Sequence, residues 1–359
     1  MMDYTNNTKR SNFIGHDGFI WWIGVVENRI DPLNLGRCQV RIKGLHSALT
    51  TNIATTALPW AQPLFPINQS FSTPASLKEG DMVVGFFLDG DAAQFPIIFG
   101  MFHGIPEDPA NTNMGFNDQR TEAQLKAAPR KPKSIKFGTA GKGATIYDNT
   151  TANTYPDILN EPTTDRLSRN ESIDKTIVKS KKDSVVKVTD AKGGTWSEPP
   201  TPYAARYPYN HVLATESGHY LEFDDTPGAE RVHLYHRSGT FSEIHPNGTK
   251  VDKITRNKYT IVMGDDDIYV MGDCSITVQG SAKVYVQKDC DLKVDGTLNQ
   301  TVGKDWNVTV GGNIKSKVGG NVTETVGGNV TETVGGNVTE TITGDIKIVG
   351  NSVEITNGG

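Results

Sequence analysis

The chain has 359 residues, a length that suits two or three domains. Its formal net charge is −5, with 36 Lys and Arg against 41 Asp and Glu, so nothing points to nucleic acid or an anionic membrane surface. There is no N-terminal apolar leader and no apolar run of about 18 residues, so neither a signal peptide nor a membrane-spanning helix is expected, and the three cysteines (Cys38, Cys274, Cys290) fit a protein made in a reducing cytoplasm.

After an N-terminal arm (1–11), residues 12–103 alternate short strands with turn signals. Phe19 to Asn28 is predicted as a strand, and Arg29 to Gly36 as a loop marked by Asp31-Pro32 and Gly36. Arg37 to Ile42 alternates apolar and polar residues, as a half-buried strand does. A Pro-rich stretch with Leu58-Pro59-Trp60 and Pro63 follows. Met82 to Leu88 and Phe95 to Met101 are two further apolar strands, joined by Asp89-Gly90-Asp91. About five strands in this span suggest a small barrel of the OB type. Many such barrels bind nucleic acid, but Arg37, Arg41 and Lys43 beside Asp81, Asp89 and Asp91 make no basic groove. A protein-docking barrel is the expectation.

Residues 104–182 are rich in Pro, Asn, Thr, Lys and Arg, with little helical periodicity, and are expected to form an extended connector that wraps neighbouring subunits. Tyr155 to Pro162 is its candidate anchor. Gly138 to Thr145 has glycines like a phosphate loop but lacks the Gly-Lys-Ser/Thr ending, and is read as a turn. Lys179 to Lys182 is a solvated run. In residues 183–253, His233 and His236 form a His-x-x-His pair, but on a strand they point to opposite faces, which argues against zinc. His219 sits beside a turn and is read as a hydrogen-bonding residue. No cofactor, metal or catalytic residue is expected anywhere in the chain.

From residue 254 to 359 the sequence has a period of eight. Val or Ile recurs from Ile254 through Val262, Val270, Val278, Val286, Val294, Val302, Val310, Val318, Val326 and Val334 to Ile342. Two residues later stands Gly in nine cases, among them Gly312, Gly320, Gly328, Gly336 and Gly344. Each unit reads as a β-branched strand of about five or six residues ending in a glycine bend. A turn this short cannot close a prism around a core within one chain. Three chains, each giving one face per octad, can, so a homotrimer is expected. At roughly 4.8 Å per stacked octad, the needle would be about 60 Å long.

Cys274 and Cys290 share an octad phase with Leu298, Ile314 and Val322 and are read as small interior hydrophobes. Glu324, Glu332 and Glu340 share strand parity with the inward valines. Either the backbone turns them to solvent, or protons, waters or cations neutralise them. After Gly344-Asp345 the residue spacing slips at Val349-Gly350-Asn351, leaving a blunt end with open strand edges.

Two segments carry a family resemblance. Gly24-Val25-Val26-Glu27-Asn28, Asp31-Pro32, Leu35-Gly36-Arg37 and Val40-Arg41-Ile42 resemble the OB domain of the central spike protein of contractile-tailed phage baseplates. Glu216-Ser217-Gly218-His219-Tyr220-Leu221-Glu222-Phe223-Asp224-Asp225-Thr226-Pro227-Gly228 resembles the segment that opens the needle in that family. The stretches Arg231 to Thr240 and Asn247-Gly248-Thr249 continue that likeness, and the valine-glycine repeat spike of bacterial type VI secretion is similar in both places. The resemblance covers residues 12–103 and about 183–350.

It implies an all-β fold: an OB barrel, a connector and an intertwined triple-stranded β-helix needle. It also implies a virion tail baseplate component, assembled in the host cytoplasm. Its barrels would seat on a ring-shaped hub protein at the end of the tail tube. A small tip protein of the Pro-Ala-Ala-Arg type would cap the C-terminal end, and the needle would touch the host outer membrane transiently during piercing. The type VI or phage-tail-like injection machine is the alternative. Some relatives carry a lysozyme between barrel and needle. Here residues 104–182 are too short for one, and Glu161 and Asp165, interrupted by Pro162, do not make the carboxylate pair of a glycosidase.

Overall fold

The computed structural model describes residues 20–67, 76–104, 110–121, 123–124, 164, 167–168, 186–215 and 218–356. The arm 1–11, Gly138 to Thr145, Tyr155 to Pro162, Asp165, Lys179 to Lys182, Glu216 and Ser217 lie outside them.

Five strands close the N-terminal barrel: β1 (Trp21–Asn28), β2 (Cys38–Ile42), β3 (Trp60–Pro63), β4 (Met82–Phe87) and β5 (Pro96–Met101). Their order around it is β1-β2-β3-β5-β4, antiparallel except for the parallel β3–β5 pair. Closure removes the free edges that five short strands would otherwise expose. Period-two alternation sends Trp22 and Val26 from β1, Val83 and Phe87 from β4, and Ile98 from β5 into one core with Cys38, Val40 and Ile42. Gly24 is required where β1 crosses β2. A Cβ there would lie 2.5 Å from Val40 Cγ1 and 2.7 Å from the Arg41 carbonyl oxygen.

One strand departs from its expected pattern. β2 is buried at all five positions, not on alternate ones. Gln39 and Arg41 point away from the barrel core, but residues 47–58 fold across them. The Gln39 amide donates to the Leu58 carbonyl at 2.8 Å, and Arg41 donates to the carbonyls of Ser47 (2.7 Å) and Ile53 (2.8 Å). Alternation reports two faces; it does not report that a loop covers the second.

The barrel also holds residues beyond 103. Leu49 bridges Met114, Thr50 Oγ1 donates to the Asn113 carbonyl at 3.0 Å, and the Phe116 N–H donates to Glu27 Oε1 at 2.8 Å.

After residue 186, β6 (Lys187–Thr189) and β7 (Thr195–Ser197) form a hairpin. Then β8 (Asn210–Ala214), β9 (Tyr220–Asp224), β10 (Arg231–Tyr235), β11 (Phe241–Ile244) and β12 (Lys250–Lys253) make an antiparallel meander. Its hairpin turns use Gly218, Gly228, Gly239 and Gly248, all at positive φ between 78° and 88°.

The octads leave β12 without a break. Thr255-Arg256, Met263-Gly264 and Met271-Gly272 are bends, and bends recur every eight residues through Gly335-Gly336 and Thr343-Gly344 to Asn351. The backbone therefore keeps its phase past the point where the residue pattern slips. Between bends the chain has no ladder partner within itself, and every residue from 257 to 356 is exposed. The strands expected here lack one ingredient. Successive octads of one chain do not pair with each other, and a β-ladder needs a neighbour. Residues 285–359 form a compact unit separate from residues 1–284.

Candidate functional site

The Asp31 loop of the barrel is a built lock. Asp31 accepts from the backbone N–H groups of Leu33 (3.0 Å), Leu35 (2.9 Å) and Arg37 (3.2 Å), and the Arg37 guanidinium grips both carboxylate oxygens at 2.7 and 3.1 Å. The Arg37 side chain, above all, holds the Asp31 carboxyl far below the usual carboxylate range against the opposing effect of burial. Arg37 also lies over Trp60, 5.4 Å from the ring centroid. Asn34 and Gly36 take positive φ to complete the turn. The polar members of the predicted barrel motif thus look inward on one another. Ile30, Leu33 and Leu35 project to solvent. Trp21 (65% exposed) and Phe99 (70%) share the outer side of β1, β4 and β5. The barrel offers an apolar outside rather than a basic groove, because Arg41 is spent on Glu27 in a fully buried pair at 2.6 Å.

The second assembly is the β8–β12 meander. Period two places Glu222, His233 and Glu243 in one row across β9, β10 and β11, with Arg231 beside Asp224 in the next row. Arg231 Nη2 donates to Glu222 Oε1 at 2.8 Å, and Nη1 donates to Glu243 Oε1 at 3.0 Å. His233 Nδ1 hydrogen-bonds Glu222 Oε2. Thr201 Oγ1 donates to Glu243 at 3.0 Å, Asn210 Nδ2 to Glu222 at 3.2 Å, and Lys253 pairs with Glu198 at 2.7 Å. Tyr220, Tyr235 and Phe241 complete this side, and Arg231 lies 4.9 Å from the Tyr203 ring centroid. The lid over it is the chain's own: residues 198–206 and Leu167, whose carbonyl accepts from Asn210 Nδ2 (3.2 Å).

Burial pushes the Glu222 carboxyl up, but the His233 hydrogen bond and the Arg231 charge outweigh it and hold it at about 2. A folded value below the ordinary 4.5 means stability that is complete above pH 4.5 and lost as the pH falls towards 2. The near-UV circular dichroism of Tyr220 and Tyr235 is expected to disappear with heating at progressively lower temperature across that window. A melting temperature flat from pH 5 to pH 2 would contradict this.

The opposite side of the same meander is apolar. Leu213, Leu221 and Leu234 align in one row, and Phe223, Val232 and Ile244 in the next. Leu213 is 68% exposed, Leu234 59% and Phe223 46%. His233 and His236 do lie on opposite faces, one buried and one exposed. His219 accepts from the Arg237 N–H at 3.3 Å, with its ring 4.4 Å from that of His236. Among the described residues no cluster of three metal-ligating side chains occurs.

Of the predicted needle-opening residues, the meander unites Gly218, Glu222, Phe223, Asp224, Asp225, Pro227 and Gly228, but splits them between its faces and turns. Glu222 and Asp224 are buried, whereas Phe223 is outward. Asp225 is exposed beside His211 at 3.8 Å. The partners of Glu222, namely Arg231, His233 and Asn210, and the second carboxylate that Arg231 bonds, Glu243, escaped the sequence reading. The available signal was parity: Tyr220, Tyr235 and Phe241 share the phase of the charges, which groups these residues on one face without saying which face is covered.

In the third assembly, the octad valines Val302, Val310, Val318, Val326 and Val334 are each 45–52% exposed, against 72% for Val330 and 77% for Val322 in another phase. Gly312, Gly320, Gly328, Gly336 and Gly344 sit in the bends, with no atom near a would-be Cβ.

Residues 44–130 match the family described as the Gp5 N-terminal OB domain, and residues 285–358 match the bacteriophage T4 gp5 C-terminal trimerisation domain. The chain is similar to Protein Gp5 of Vibrio phage KVP40, with 38% identity over 274 residues, 72% of this chain and 63% of that protein. It is similar also to the pre-baseplate central spike protein Gp5 of Enterobacteria phage T4, with 46% identity over 77 residues, 21% of this chain and 13% of that protein. It therefore spans less than two thirds of the length of the curated relatives it matches.

Proposed function

We propose, for a chain that carries the Gp5 N-terminal OB domain and the Gp5 C-terminal trimerisation domain, the role of a trimeric central spike that pierces the host outer envelope when a contractile tail fires. One observation carries the reading: a closed barrel, a five-stranded meander and a strictly periodic octad segment follow one another in a single chain. Three octad segments wound together pair every strand edge with a different chain, so bending must break many hydrogen bonds at once. Stiffness along one axis is what a puncturing device needs, and catalysis is not part of it. The named relatives come from phages, which favours a phage baseplate over a type VI machine.

The apolar outer side of the barrel that carries Trp21 and Phe99 is the surface proposed to seat on a ring-shaped hub protein. The last octads, in phase through Asn351, are proposed to receive a small tip protein. Assembly in the host cytoplasm before incorporation into the virion fits the reduced cysteines.

The test combines light scattering with electrophoresis in SDS without boiling. A trimer that survives the detergent, together with antibody against residues 337–356 labelling the far end of the tail tube, is the expected result. A monomer removes the spike reading. Labelling on lateral fibres would make the chain an adhesin, and release of peptidoglycan fragments by the purified protein would make it an enzyme.

A further inference from the structure

The octad segment has a register problem. Asn321–Gly328 and Asn329–Gly336 are identical in sequence, and Asn337–Gly344 differs from them at two positions. The bends keep one period from Thr255 to Asn351. Slipping one chain by eight residues would still lay valine against valine and glycine bend against glycine bend at almost every level. Repetitive strands specify their register weakly, so something outside the repeat must set it.

The β8–β12 meander immediately precedes the repeat and is not itself repetitive. Its covered side buries the charge cluster beside Tyr220, Tyr235 and Phe241, and its open side still exposes two rows of large apolar side chains, which a sheet standing alone in water does not. The polar side is closed by residues 198–206 and Leu167 of the same chain, whereas Leu213, Leu234 and Phe223 on the other side stay exposed. The open side has the anatomy of an interface. Leu213, Leu221, Leu234, Phe223, Val232 and Ile244 form the centre. The Lys250–Asp252 pair at 2.8 Å borders one edge and His211–Asp225 the other. This side is also tied to the repeat without slack: β12 ends at Lys253, Ile254 begins the octads, and the first bend is Thr255-Arg256.

We infer that the apolar side of β8–β12 is the contact through which three copies of this chain meet, and that this non-repetitive contact fixes the register of the octads that follow. The inference rests on the trimer proposed above. Its occupant is two further copies of the chain, because the surface runs at Ile254 into the octad repeat, whose later part, residues 285–358, matches a trimerisation domain.

The test uses the full-length protein. Hydroxyl-radical footprinting of the purified trimer is expected to leave Phe223 and Leu234 unlabelled without any added protein. Labelling of both in a trimer, or protection only after another baseplate protein is added, overturns the inference while leaving the spike role standing. A monomeric wild type would instead sink the trimer itself.

Register is read by hydrogen exchange with mass spectrometry. The wild type is expected to show one exchange population for residues 321–344. Leu234→Glu is expected to give either monomers or trimers with two or more populations there, while β9–β11 keep their protection. A Leu234→Glu trimer with the single wild-type population overturns the register role. If Leu234→Glu also loses the protection of β9–β11, Leu234→Asn is read by the same two criteria.

Discussion

Arg231→Ala is expected to unfold the β8–β12 meander at temperatures where the barrel stays folded. The guanidinium is 4% exposed and bonds two carboxylates, Glu222 and Glu243, that lie on adjacent positions across β10. Removing it leaves two buried acids facing each other, with His233 and Thr201 as their nearest remaining partners. Breaking one side of a buried pair costs about 3–5 kcal/mol, a large fraction of what a small domain has. The near-UV signal of the meander tyrosines should melt first, and the fraction of SDS-resistant trimer should fall at least tenfold. Arg231→Lys should recover only part of it, because one ammonium cannot fork between two carboxylates as a guanidinium does. An Arg231→Ala protein with wild-type melting and trimer yield would show that the cluster contributes nothing to assembly.

Val318→Asp should have the larger effect on the assembled particle. The octad valines are already half-shielded by their own chain, at 52% exposure for Val318. In a trimer the second and third copies would close over them. One substitution then places three carboxylates at one level of the interior, each costing on the order of several kcal/mol unless it takes up a proton. Resistance to SDS should disappear at pH 7 and return in part near pH 4, where the acids are neutral. Thr325→Asp, at the opposite parity and facing out, should leave the trimer intact. Equal behaviour of the two variants would mean that the valine stripe does not line the interior.

The Asp31–Arg37 lock and the Glu27–Arg41 pair illustrate why some of the barrel was legible and some was not. The strands and turns of β1, β4 and β5 follow from short apolar runs and from Asp31-Pro32 and Asp89-Gly90, which act within a few residues. β2 alternates apolar and polar residues, yet both of its sides are buried, because residues 47–58 and the 110–121 segment lie over Gln39 and Arg41. No pattern within Cys38–Ile42 announces a lid that comes from so far along the chain. Phe116 reaches Glu27 across 89 positions, and Leu167 reaches Asn210 across 43.

The same distinction separates the octads from the meander. A period of eight, with β-branched residues and glycine bends, is a local and repeated instruction. The sequence alone therefore determined where the chain turns, that one copy cannot complete the structure, and that the fold is all-β with a barrel in front. Which side of β8–β12 would be covered was a different kind of question. Tyr-Leu-Glu-Phe-Asp and Arg-Val-His-Leu-Tyr define two faces equally well, one of charges and tyrosines, the other of Leu, Val and Phe. Only the tertiary structure decided it, by bringing residues 198–206 and Leu167 onto the charged face, where Arg231 could neutralise two acids at once. The burial of an ion depends on partners distant in sequence, and its cost is met only when all of them arrive together.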